Sequence, residues 1–165
     1  TRLRRLVERP GTGAAIRQVD LRGAVDDAIE LLRPEFSARG VQLRLEGERR
    51  PVVLADPVGL EQIIHNLVMN ALHALERMPP RERTVTLAVE EAGPAAVLRV
   101  SDTGPGLSPE AMRRAFEPFY STREGGLGLG LSLSESLAAV MGGTLVAANG
   151  ARTGAVFTVS LPRAG

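Results

Sequence analysis

DPVGLEQIIHNLVMNALHALER, residues 56–77, decides how the rest of the chain is read. Asp56 supplies an N-cap carboxylate, and Pro57 sits where a helical N–H would be unpaired anyway. Leu60, Ile63, Ile64, Leu67, Val68, Ala71, Leu72 and Leu75 recur at helical spacing as one apolar face. The spacing predicts a helix to about Arg77, where Pro79-Pro80 prevents continuation. Asn66, Asn70, His73 and Arg77 fall on a second stripe, at separations of four, three and four. Asparagine is a poor helix-interior residue because its amide competes for backbone hydrogen bonds. The chain has only one other, Asn149, so two of them one turn apart need a reason. One reason is a solvated polar face. The other is a pair of amide oxygens aimed at a cation or ligand, since hard Mg²⁺ takes neutral oxygens together with water and phosphates.

Upstream, Leu21, Val25, Ala28, Ile29, Leu32 and Phe36 mark a helix from Leu21 to about Ala38 that Gly40 stops. Val41, Leu43 and Leu45 alternate as a strand, and 51–55 makes another. Downstream, strands are predicted over 84–90 and 96–102, with a turn at Gly93-Pro94 between them. Residues 104–126 read as an irregular stretch with a short helix near 109–115, a length uncommon in compact domains unless it binds something or moves. A helix from near Leu127 to Gly142-Gly143 and strands over 144–148 and 155–161 complete the chain. Helices alternating with antiparallel-looking strand pairs pack naturally as a two-layer α/β sandwich. Before all this, Leu3, Leu6 and Val7 have helical spacing and Pro10, Gly11 and Gly13 then break it. Residues 1–17 are read as the end of an upstream helix plus a linker, and 18–165 as the domain.

Composition narrows the partners. A net charge of +1 with scattered Arg gives little reason to expect nucleic acid or an anionic membrane. Lysine is absent, so a phosphate contact must come from Arg, His or backbone N–H. Cysteine is absent too, which excludes disulfides and thiolate metal sites. No apolar run approaches the roughly 20 residues that cross a bilayer.

Two glycine-bearing stretches complete the candidate chemistry. Asp102-Thr103-Gly104-Pro105-Gly106-Leu107 follows a strand that buries Val97, Leu98 and Val100. A carboxylate there is costly if buried without a partner, and the glycines let backbone approach a ligand. Gly125-Gly126-Leu127-Gly128-Leu129-Gly130-Leu131 opens a helix, where Gly costs roughly 0.5–1 kcal/mol relative to Ala. Either this is a hinge, or bare N–H groups at a helix N-terminus face a polyphosphate. No Gly-Lys-Ser/Thr follows, so it is not the Walker pattern.

Helix with paired Asn, Asp-x-Gly-x-Gly, then Gly-x-Gly-x-Gly before a helix: this order resembles the catalytic ATP-binding domain of sensor histidine kinases, in the group shared with DNA gyrase, Hsp90 and MutL. Phe116-Glu117-Pro118-Phe119-Tyr120-Ser121-Thr122-Arg123 resembles that family's phenylalanine box, and 142–145 with 154–162 its terminal hairpin. The resemblance implies an α+β fold of the Bergerat ATP-binding type, a mixed, mostly antiparallel sheet with helices on one face. It implies ATP and Mg²⁺, with Asn70 as metal ligand and Asn66 assisting. Asp102 would accept from the adenine amino group, in a pocket shaped by Gly104 and Gly106. Gly126, Gly128 and Gly130, with Leu127, Leu129 and Leu131 between and after them, would form the phosphate-binding loop. About 107–125 would be a lid. Many such kinases carry Lys where His73 stands, so Arg123 is the expected cationic phosphate contact.

Gyrase-like relatives place a water-activating Glu where this chain has Asn66, and an amide cannot take a proton. The resemblance therefore implies phosphoryl transfer to a histidine, not hydrolysis. His65 and His73 are the only histidines, and neither has the phosphoacceptor context. The acceptor is expected on a dimerisation domain before Thr1, with relay to a response regulator, in a homodimeric cytoplasmic protein. The alternatives are an anti-sigma-factor-type serine kinase, a degenerate nucleotide-binding interaction module, and an ATP-driven clamp that would need the missing Glu.

Overall fold

Asp20 caps the first long helix by accepting from the Gly23 N–H at 3.1 Å, and Gly40 ends it in the left-handed conformation at φ 63°. Between them runs α1, Leu21–Arg39; before it lies β1, Arg17–Asp20. The chain continues through β2 (Gln42–Glu46), β3 (Val52–Ala55), α2 (Pro57–Ala74), a 3₁₀ turn (Pro80–Glu82), β4 (Thr84–Ala92) and β5 (Ala95–Asp102). Then come α3 (Pro109–Arg114), α4 (Gly130–Val140), β6 (Thr144–Asn149) and β7 (Ala155–Pro162). This computed structural model describes residues 15–121 and 130–165.

Five strands form the main sheet in the order β2-β4-β5-β7-β6. β2 runs parallel to β4, with Gln42 opposite Thr84, and every other pairing is antiparallel. β1 and β3 form a separate antiparallel ribbon, Arg17 opposite Ala55. The period-two pattern of the strands appears directly as burial: along β4, Val85, Leu87 and Val89 are buried while Thr84, Thr86 and Ala88 are not. Onto the buried face pack α1, α2 and α4. Leu60, Ile63, Ile64 and Leu67 of α2 are fully buried against Leu98, Phe157 and their neighbours, each worth about 1.5–3 kcal/mol over exposure. The expected α+β sandwich, mostly antiparallel with helices on one side, is the observed one.

Two elements differ from the sequence reading. β1 was not expected: Arg-Gln-Val-Asp carries one apolar residue and no alternation to read. The Asn-bearing helix stops at Ala74 rather than near Arg77. Pro79 and Pro80 offer no N–H to the Leu75 and Glu76 carbonyls. The end therefore tightens into i→i−3 bonds, Glu76 N–H to the His73 carbonyl at 3.2 Å and Met78 N–H to the Leu75 carbonyl at 2.9 Å. The Arg83 guanidinium then donates to the carbonyls of Met78 (2.8 Å), Glu76 (3.1 Å) and, on α1, Arg39 (2.6 Å). The helical stub at Leu3–Val7 and the expected helix start at Leu127 lie outside the described residues.

Candidate functional site

The polar stripe of α2 splits into two jobs. The Asn66 amide donates to the Gly130 carbonyl (3.3 Å) and the buried Ser134 hydroxyl (3.1 Å), while its oxygen accepts from Gln62 (3.2 Å). Asn66 thus ties α2 to the first turn of α4. Asn70 and His73, half-buried, line a cavity of about 810 Å³. Ala74 continues that wall, followed by Glu76, Arg77 and Met78 of the turn that Arg83 holds. Pro105, Ala115, Tyr120, Ser121 and Leu131 complete the lining.

Asp102 ends β5 with only 5% of its surface exposed. Its Oδ1 accepts from the N–H groups of Gly104 (2.9 Å) and Ala155 (3.3 Å), yet its buried Oδ2 has no partner among the described residues. Burial pushes this carboxyl above the ordinary carboxylate range, and the two N–H donors only partly offset it. A Cβ on Gly104 would lie 2.8 Å from the Ala74 carbonyl and 3.0 Å from Asp102 Oδ1. Gly104 thus packs against both the cavity-lining Ala74 and the Asp102 carboxylate.

The covering side is built from aromatic contacts. Ser108 caps α3 by accepting from Ala111 N–H at 3.1 Å. Phe116 meets Phe157 of the core edge-on, with centroids 6.4 Å apart. The Arg114 guanidinium stacks 4.4 Å above the Tyr120 ring, holding that residue at the cavity. Phe119 takes φ 69° and is 76% exposed.

The structure brings Asn70, His73 and Leu131 to one cavity, with Asn66, Gly130, Asp102, Gly104 and Gly106 immediately around it. Arg123, Gly126, Leu127, Gly128 and Leu129 lie outside the described residues. Among the described residues no group of three or more His, Asp or Glu could hold a metal. A metal here would rest on an amide oxygen and its ligand's own phosphates, the habit of Mg²⁺. Arg77 lies on the polar stripe and Tyr120 in the phenylalanine box, but neither pattern assigned them a role at the site, and Ser134 reaches it only through tertiary packing against Asn66.

Residues 55–165 match the family described as histidine kinase-, DNA gyrase B- and HSP90-like ATPase. The chain belongs to that family. Membership makes it an ATP-binding domain. It is 37% identical over 155 residues to the C4-dicarboxylate transport sensor protein DctB of Pseudomonas aeruginosa, covering 92% of this chain and 25% of that protein. It is 31% identical over 153 residues to the sensor histidine kinase TmoS of Ectopseudomonas mendocina, covering 91% of this chain and 16% of TmoS. The chain thus spans a quarter or less of these two relatives. The catalytic domain of the histidine kinase ThkA superimposes with a TM-score of 0.80 at 24% identity, covering 90% of this chain and 95% of that one. Full-length ShkA, solved with AMPPNP, gives 0.77 at 32% identity over 91% of this chain and 31% of ShkA. Among the described residues no helix is long and apolar enough to cross a membrane.

Proposed function

We propose that this domain holds Mg-ATP in the cavity between α2 and the 105–121 segment, and donates the γ-phosphate to a histidine on an upstream dimerisation domain. The observation that carries the reading is Asp102 Oδ2, a buried acceptor without a donor among the described residues, on a side chain whose other oxygen accepts from Gly104, next to Pro105 of the cavity wall. An amino group on a bound base supplies the missing N–H. Asn70 would hold Mg²⁺, which neutralises phosphate charge during transfer. Asn66, through Gly130 and Ser134, sets the start of α4 beside the phosphates, and His73 adds a donor. Gly126, Leu127, Gly128, Leu129, Gly130 and Leu131 would supply peptide N–H groups, and Arg123 a fork for phosphate oxygens.

Transfer is favoured over hydrolysis by the side chains present. The position of a water-activating Glu is Asn66, an amide already engaged. Glu61 and His65 line a different groove, beside Leu31 and Val58, so neither serves as base or acceptor at the cavity. The acceptor histidine and the dimer contact would belong to the rest of a cytoplasmic sensor kinase, and the phosphate would pass on to a response regulator. ThkA, of the same fold, has been solved in complex with the response regulator TrrA.

Calorimetry with AMPPNP and Mg²⁺ tests binding: wild type should bind, and Asp102→Ala should not bind measurably. Supplied with a separate phosphoacceptor domain and labelled ATP, the chain should yield an acid-labile, alkali-stable phosphoprotein. An acid-stable phosphoserine, or nucleotide binding indifferent to Asp102→Ala, overturns the proposal.

A further inference from the structure

Asn149 is the third asparagine of the chain, and the site as proposed does not use it. It ends β6, where it pairs with Ala155, and its side chain reaches across to the segment after Asp102. Its Oδ1 accepts from the Leu107 N–H at 2.7 Å, and its Nδ2 donates to the Leu107 carbonyl at 3.0 Å. A carboxamide that satisfies both main-chain groups of one residue acts as a detached peptide unit, lending a loop a strand partner it otherwise lacks. The rest of the hairpin makes parallel contacts. Thr153 donates through its hydroxyl to the Gly104 carbonyl at 2.9 Å, and Ala155 N–H reaches Asp102 Oδ1.

Among the described residues, no main-chain-to-main-chain hydrogen bond holds 104–107. Side chains hold it instead: Asp102 from within, Thr153 and Asn149 from the hairpin. Gly106 shows how closely they fit. It takes φ 80°, and a Cβ there would meet Asn149 Oδ1 at 2.9 Å and the Gly154 carbonyl at 3.2 Å. Pro105, at the centre of this loop, is a cavity wall.

We infer that Asn149 is a positioning residue for the nucleotide: it fixes the 104–107 loop in its binding geometry before ligand arrives. This rests on the ATP reading above. A preformed wall chiefly lowers the dissociation rate, because the ligand does not have to order the loop itself. Two hydrogen bonds of ordinary strength set the scale at roughly tenfold.

The test measures AMPPNP dissociation with MgCl₂ by stopped flow, and amide hydrogen exchange at Leu107 and at Leu98 in mid-β5. Asn149→Ala should release AMPPNP about tenfold faster, with Leu107 exchange accelerated and Leu98 unchanged. Asn149→Asp keeps the acceptor but sets an oxygen against the Leu107 carbonyl, so it should also release faster than wild type. Wild-type dissociation from both variants overturns the inference. So does acceleration of Leu98 equal to that of Leu107, which marks general destabilisation. If wild type fails to bind AMPPNP, the ATP reading falls and the nucleotide role falls with it. Leu107 exchange would then still report whether Asn149 holds the loop.

Discussion

At Asp102, one carboxylate oxygen has two peptide N–H donors and the other has none among the described residues. The raised pKa means that the native state holds its proton more tightly than the unfolded chain does. The destabilisation is therefore absent below the ordinary carboxylate range and grows as pH rises through the native pKa. Asp102→Asn preserves shape and an acceptor while removing the charge. Its thermal midpoint at neutral pH should equal or exceed that of wild type, and the difference should shrink towards about pH 4. Its affinity for AMPPNP should nonetheless fall about tenfold or more, since a charged acceptor is lost. A variant melting below wild type at neutral pH contradicts the buried-charge account. This residue was readable because a carboxylate closing an apolar strand stands out along the chain. Asn149 was noticed only as a rarity, since its partner Leu107 is 42 residues away and no spacing rule joins them.

Among the elements, the turns discriminate between conformational strain and steric contact. Gly93, between β4 and β5, has φ 60° with open space where a Cβ would go. Gly154, between β6 and β7, has φ 77°, and a Cβ there would lie 1.7 Å from the Asp102 carbonyl oxygen. Gly93→Ala should lose about 1–2 kcal/mol in urea unfolding, the strain of a left-handed residue alone. Gly154→Ala should lose clearly more and weaken nucleotide binding as well, because Asp102 has to move. Equal losses would mean that the hairpin yields freely. Helix starts, Gly40 and the alternating strands were legible since each depends on neighbours in sequence. The end of α2 was not: the chain tightens into a turn after Ala74, and Arg83, which holds carbonyls of that turn, lies outside the 56–77 pattern.

Over the whole molecule, helices cover one face of the sheet and the cavity opens where α2, the 104–107 loop and α4 converge. Ligand bound there stabilises only the folded chain. At a hundredfold excess over Kd, AMPPNP with Mg²⁺ should add about 2.7 kcal/mol. For a chain of 165 residues that corresponds to a midpoint shift of about 5–10 °C by scanning calorimetry. The shift should vanish in Asp102→Ala; an equal shift there places the ligand elsewhere. The β4–β5 hairpin was legible from its turn. The β5–β7 contact and the parallel β2–β4 pairing were not, since long-range pairing leaves no local trace.

Arg83 grips the last carbonyl of α1 and two carbonyls of the turn that forms part of the cavity rim. These three hydrogen bonds tie the end of one helix to the mouth of the site on the same side of the sheet, so displacing either end strains the fork that joins them.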